Sequence, residues 1–168
     1  MKPRDRCSSV HSWTHGNSAE AERAYARGAE RGHAEAAFRL GCLLEARGDK
    51  PAASAAWQRA ADLGSPEGTL NLAYVLVNKG DIHRAFPLLR TALTSGHPEC
   101  APRAALTLGS LFKLAGAPAD ARKLLQAVID SKHPEIAPMA VAELAALEKD
   151  VAEEAGAPAT LESLQPPR

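Results

Sequence analysis

The sequence predicts an all-α fold, an α-solenoid of antiparallel helix pairs, and three observations point to it. Gly16, Gly48, Gly80 and Gly116 are spaced by 32, 32 and 36 residues. Glu35, Glu67, Glu99 and Glu135 step with them, as do Leu40, Leu72, Leu108 and Leu144, and Ala21, Ala53, Ala85 and Ala121. Within each period, apolar residues recur three and four apart in two successive stretches, the mark of paired amphipathic helices. A unit of this length cannot bury its own apolar face, so neighbours must stack and stability must reside in the interfaces between them.

The segment KPRDRCSSVHSWTH should be the first helix of the first unit, but Ser8 and Ser12 stand where Leu40 and Leu44 stand later, and only Val10 and Trp13 could pack. Residues 1–17 are therefore read as a poorly patterned N-terminal segment, and residues 18–154 as the repeat domain. NSAEAERAYARGAERG follows as a good second-type helix. In the next unit AEAAFRLGCLLEARG is followed by DKPAASAAWQRAADLGS: Gly48 closes one helix, Asp49 caps the next, and Pro51 sits in its first turn. Trp57 shares a slot with Tyr25, Leu89 and Leu125, so it reads as core and should be buried. The same grammar continues in EGTLNLAYVLVNKG with DIHRAFPLLRTALTSG, and in APRAALTLGSLFKLAG with APADARKLLQAVIDS. Pro87 falls inside the second of these helices, which predicts a bend near Phe86.

The turns between units, GHAE, GSPE, GHPE and KHPE, share a glutamate that meets the positive end of the following helix dipole. Gly32, Gly64 and Gly96 recur in these turns, with Lys132 in the last slot. The longer third spacing comes from the related insertions CAPR and IAPM, about one helical turn each, so these first helices should begin one turn earlier. IAPMAVAELAALEKDVAEEAG makes a final unpaired helix, and residues 155–168 read as a flexible tail.

Composition narrows the function. Twenty basic residues balance twenty acidic ones, which gives no reason to expect nucleic acid or an anionic membrane as partner. Cys7, Cys42 and Cys100 lie far apart with no Cys-x-x-Cys pair, so reduced thiols are expected rather than a disulfide framework or a zinc knuckle. No apolar run suggests a secretory core or a membrane span, and a soluble, cytoplasmic protein is expected.

The repeat pattern resembles the tetratricopeptide and Sel1-like families over roughly residues 18 to 150. Leu40-Gly41, Gly48, Ala53, Trp57 and Ala60 match the tetratricopeptide signature slots, as do Leu72-Ala73, Leu76, Gly80, Ala85 and Ala92, and Leu108-Gly109, Phe112, Gly116 and Ala121. Phrases such as AAWQRAADLGSPEG are similar to the Sel1 version, whereas the short RGDK and KGDI turns lack its longer loop. The resemblance implies stacked helix pairs in a right-handed superhelix that binds proteins through a concave groove lined by first helices. In this chain the groove slots would hold Phe38, Arg39 and Cys42, then Asn71, Tyr74 and Asn78, then Arg103 and Lys113. Phe38 reads equally well as packing between units. A two-carboxylate clamp, as in the chaperone-tail-binding members, is matched outright only by Asn71 and in charge by Arg103. Such a surface suits an extended peptide or an amphipathic helix, with Tyr74 as an anchor and Asn71 pairing with peptide backbone.

Chemistry is not apparent. His33, His97 and His133 recur in equivalent turns and read as helix caps. Cys7, His11 and His15 would share one helix face, but their segment is polar and lacks helix start signals, so no metal site is assigned. No phosphate-binding loop, nucleophile elbow or paired-carboxylate constellation is present, and the chain reads as a non-enzyme with no cofactor. The function expected is a protein-interaction adaptor or regulatory module holding a protein or peptide partner. The alternative is a self-associating structural element, a possible homodimer, that uses its solenoid ends. An RNA-binding role fits poorly, because the slot series Arg39, Asn71, Thr107 and Glu143 keeps no constant side-chain type.

Overall fold

The computed structural model describes residues 18–156. The readings made for residues 1–17 and for the tail beyond 156 lie outside the described residues. Among those described, every regular element is an α-helix: α1 (Ser18–Glu30), α2 (Ala34–Ala46), α3 (Lys50–Asp62), α4 (Pro66–Asn78), α5 (Ile82–Thr94), α6 (Cys100–Leu114), α7 (Pro118–Asp130) and α8 (Ala137–Gly156). The starts of α1, α3, α5 and α7 step by the glycine spacing, and each of these helices is 13 residues long. This is the all-α solenoid of antiparallel helix pairs that the spacing predicts.

The helix ends follow from local chemistry. Gly48 has φ +90°, its N–H donates to the Glu45 carbonyl at 2.8 Å, and the Asp49 N–H donates to the Leu44 carbonyl at 2.9 Å. That pair of bonds closes α2 and requires the left-handed conformation that glycine adopts without steric cost. Asp49 then caps α3 by accepting from the Ala52 N–H at 3.2 Å. The equivalent turn puts Asp81 on the Arg84 N–H, and in the turn between units Ser65 Oγ accepts from the Gly68 N–H.

Lys132, in the slot of Gly32, Gly64 and Gly96, is the non-glycine residue with positive φ among those described, at 54°. A side chain there costs roughly 1–2 kcal/mol from the approach of Cβ to the carbonyl. Lys132→Gly should therefore stabilise the protein by about 0.5–1 kcal/mol, the relief being partly offset by the added freedom of the unfolded chain. Urea denaturation of the two forms checks the sign.

The inserted residues do not lengthen the helices by a full turn. Measured from the leucine landmark, α2 and α4 begin six residues before Leu40 and Leu72, α6 eight before Leu108, and α8 seven before Leu144. The rest of each insertion is taken up in the turn, where an imidazole caps the helix. His97 Nδ1 accepts from the Glu99 and Cys100 N–H groups at 3.4 and 3.3 Å, and His133 Nδ1 from those of Glu135 and Ile136, both at 3.3 Å. His33, which lacks the following proline, makes no side-chain cap bond.

The chain divides into two compact units, residues 18–104 and 105–156 of those described, with the boundary inside α6. In the first, α1 packs on α2, α2 on α3, α3 on α4 and α4 on α5, while α2 also touches α4. Its core gathers Phe38, Leu44, Trp57, Leu72 and Leu76 with a lining of small residues such as Ala37, Ala53 and Ala60. Trp57 is 2% exposed, as its slot predicts. Helix α5 continues through Pro87, which interrupts the ladder without ending the helix. In the second unit α7 packs on α8, and Leu108, Leu125, Val128, Ile136 and Leu147 are buried.

Candidate partner-binding surface

Burial of one side of α4 determines what its other side can offer. Leu72, Ala73 and Leu76 point into the core. Glu67, Asn71, Tyr74 and Asn78, spaced by four, three and four, fall on a single stripe of the same helix. Asn71 and Tyr74 are half-buried and Asn78 is exposed. This stripe carries the groove residues read from the sequence for α4.

Helix α2 contributes less than its slots suggest. Phe38, 5% exposed, belongs to the core, so of the two readings its slot allows, packing is the one realised. Cys42 is 1% exposed and disulfide-bonded, while Cys100 is buried and takes part in no disulfide. The expectation of reduced thiols is therefore corrected at Cys42. Arg39 remains half-buried, pairs with Glu35 one turn away at 2.5 Å, and holds its guanidinium 5.7 Å from the Phe38 ring centroid. The cation thus lies over the face of the aromatic residue that has turned inward.

Arg103, on α6 in the first unit, is half-buried. Lys113 belongs to the second unit, where its Nζ pairs with Asp150 of α8 at 2.8 Å. Ser110 there donates to Glu143 of α8. Helices α2 and α4 of the first unit touch one another, and Lys113 is committed to an ion pair of its own unit.

Sequence reading missed a second cluster. Glu67, His97 and Cys100 bring a carboxylate, an imidazole and a thiol together, one ligand atom of each lying within 4.8 Å of the others. Glu67 Oε1 is 3.2 Å from His97 Nε2. The signal available was that the turn carrying His97 alone has a cysteine three residues on, where the matching turns carry Ala36, Gly68 and Ile136.

Among the described residues no helix is long and apolar enough to cross a membrane. No curated protein matches the chain. The family model described as tetratricopeptide repeat matches residues 12–68 and 70–135, which take in nearly all of the helices from α1 to α7. Built of helix pairs at this spacing and matched over most of its length, the chain belongs to the tetratricopeptide repeat family, of which the Sel1-like pattern is a close variant.

Proposed function

We propose that this chain is a protein-interaction adaptor that holds a partner peptide or amphipathic helix against the first-helix face of α2 and α4. Tetratricopeptide repeats generally mediate protein–protein interaction. The observation that carries the narrower reading is the α4 stripe, where a half-buried tyrosine and two asparagines stand on one face of the helix. A tyrosine supplies a rigid apolar anchor with a polar tip, and asparagine side chains satisfy the N–H and C=O groups of an extended backbone.

The role is non-catalytic on this reading, in keeping with the usual use of the family. Equal numbers of acidic and basic residues argue for a protein rather than a nucleic acid or an anionic membrane as partner. A cytoplasmic site of action belongs to the same proposal.

The test is affinity capture from native lysate with the intact chain and with a Tyr74→Ala, Asn71→Ala double variant matched in helicity by circular dichroism. Loss of a tyrosine anchor of this kind should weaken capture by at least about tenfold. An unchanged set of captured proteins removes the groove as the working site. If the mass by light scattering also rises with concentration, self-association becomes the better account. Val141 on the last helix, 52% exposed, is the observation that would then matter.

A further inference from the structure

Three side chains from separate stretches of chain meet beside the first turn of α4. Glu67 is the second residue of α4, His97 lies in the turn after α5, and Cys100 opens α6. All three belong to the unit of residues 18–104. We propose that Glu67, His97 and Cys100 form a divalent-metal site whose preferred occupant is zinc.

The donor set selects the metal. A thiolate, an imidazole and a carboxylate suit a borderline-soft ion, whereas calcium and magnesium take oxygen ligands throughout. The spacing fits as well. Tetrahedral zinc with bonds of about 2.0–2.1 Å puts its nitrogen and oxygen ligands about 3.3 Å apart, and Glu67 Oε1 and His97 Nε2 are already 3.2 Å apart. A sulfur at about 2.3 Å from the metal lies about 3.5 Å from either partner. With every pair of ligand atoms inside 4.8 Å, the thiol needs only a small side-chain adjustment.

Access and support agree with this use. The His97 and Glu67 side chains are 27% and 21% exposed, so an ion can enter between them, while Cys100 seals the inner side at 1%. The second carboxylate oxygen of Glu67 accepts from Ser65 Oγ at 3.2 Å, and Ser65 Oγ itself accepts from the Gly68 N–H at 3.0 Å. An oriented carboxylate of this kind is what a metal ligand needs from its surroundings. Zinc with one thiolate and one carboxylate is neutral overall, which suits a half-buried position.

Binding has a definite proton balance. The Cys100 thiol loses its proton to solvent, and the neutral His97 ring moves its proton from Nε2 to Nδ1 as Nε2 takes the metal. One proton is released per ion. The Nδ1 cap on Glu99 and Cys100 is given up, but both of its bonds are long, at 3.4 and 3.3 Å, and weak beside metal–thiolate and metal–imidazole bonds. The equivalent turn at His133 has Ile136 in place of Cys100, so the site is confined to one turn, where the metal would tie the start of α6 to the start of α4.

The test is titration of the reduced full chain with cobalt(II), a spectroscopic stand-in for zinc, followed by displacement with zinc. One ion should bind per chain, with a thiolate-to-cobalt charge-transfer absorption, and zinc should raise the Tm in a concentration-dependent way. Cys100→Ser should abolish the absorption and Cys7→Ser should leave it intact. Glu67→Gln and His97→Gln, both at partly exposed positions and each checked for helicity by circular dichroism, should each weaken zinc binding by at least about tenfold. The proposal is overturned by an absent absorption, by one that survives Cys100→Ser or disappears with Cys7→Ser, or by a zinc affinity that neither Glu67→Gln nor His97→Gln alters.

Discussion

Gly41→Ala is expected to destabilise the first unit by about 2 kcal/mol, a fall in Tm on the order of 10 °C. In the middle of α2 the substitution would ordinarily help, because alanine is favoured over glycine in a helix by about 1 kcal/mol. Here the added Cβ would lie 2.4 Å from both Cδ1 and Nε1 of Trp57 and 2.9 Å from Cε2. The indole is rigid and 2% exposed, so it cannot swing aside, and overpacking of this kind costs up to about 3 kcal/mol. The two terms leave a net loss.

The same pair of slots elsewhere shows how the loss can be removed. Ala73 occupies the slot of Gly41 and Leu89 that of Trp57, and both are fully buried. In the second unit the pair is Gly109 and Leu125, where a Cβ would meet the leucine at 3.0 and 3.1 Å, a milder contact with a flexible branch. Size is thus traded between the two helices of a pair. In a Trp57→Leu background, Gly41→Ala should cost less than about 0.5 kcal/mol or become stabilising. Trp57→Leu also removes an indole N–H that makes no hydrogen bond, which offsets part of the lost volume. Urea denaturation of the four forms measures the coupling, and an equal cost of Gly41→Ala in both backgrounds would refute the trade.

Helix boundaries were legible in the sequence because their signals are local. The residues that stop α2, cap α3 and open it are neighbours in the chain, Gly48, Asp49 and Pro51, and each acts within a few residues of itself. The exposure of first-helix side chains was not legible. Whether Phe38 faces a groove or a neighbouring helix depends on how closely α2 and α4 approach, which is a property of the packed helices and not of any local signal in the chain. On α4 the alternation of buried Leu72, Ala73 and Leu76 with a polar stripe was strong enough to read, so Asn71, Tyr74 and Asn78 could be assigned to one face. The meeting of Glu67 with His97 and Cys100 was out of reach for a different reason. It joins residues thirty and more apart, and each alone has a sufficient local explanation as a helix-start residue. Histidine capping itself was half legible: the repeated turns suggested it, but only the His-Pro-Glu turns realise it, because the proline fixes the backbone that brings the imidazole over the following N–H groups.

Gly68→Ala is expected to cost about 2–3 kcal/mol and, unlike Gly41→Ala, to resist rescue. Gly68 sits in the first turn of α4, where that helix comes closest to the end of α3. A Cβ there would lie 2.4 Å from the Ala60 Cβ and 3.2 Å from the backbone at both Ala60 and Ala61. Ala60→Gly can remove the first contact but not the other two, so the double variant should recover only part of the loss. The short turn between the helices offers no slack, since the Ser65 N–H is held on the Ala60 carbonyl at 2.9 Å and Ser65 Oγ on the Gly68 N–H. The relief available is for α4 to move away from α3, carrying the Asn71, Tyr74 and Asn78 stripe with it. Stacked repeats take much of their stability from such interfaces between units, so a displacement there weakens the array while each helix stays formed. The measurement is therefore double: urea denaturation for the stability loss, and circular dichroism at low temperature, where helicity should stay near that of the parent chain. A loss no larger than that of a surface substitution, or one fully restored by Ala60→Gly, would mean that the backbone of α3 yields and that this close approach does not set the position of α4.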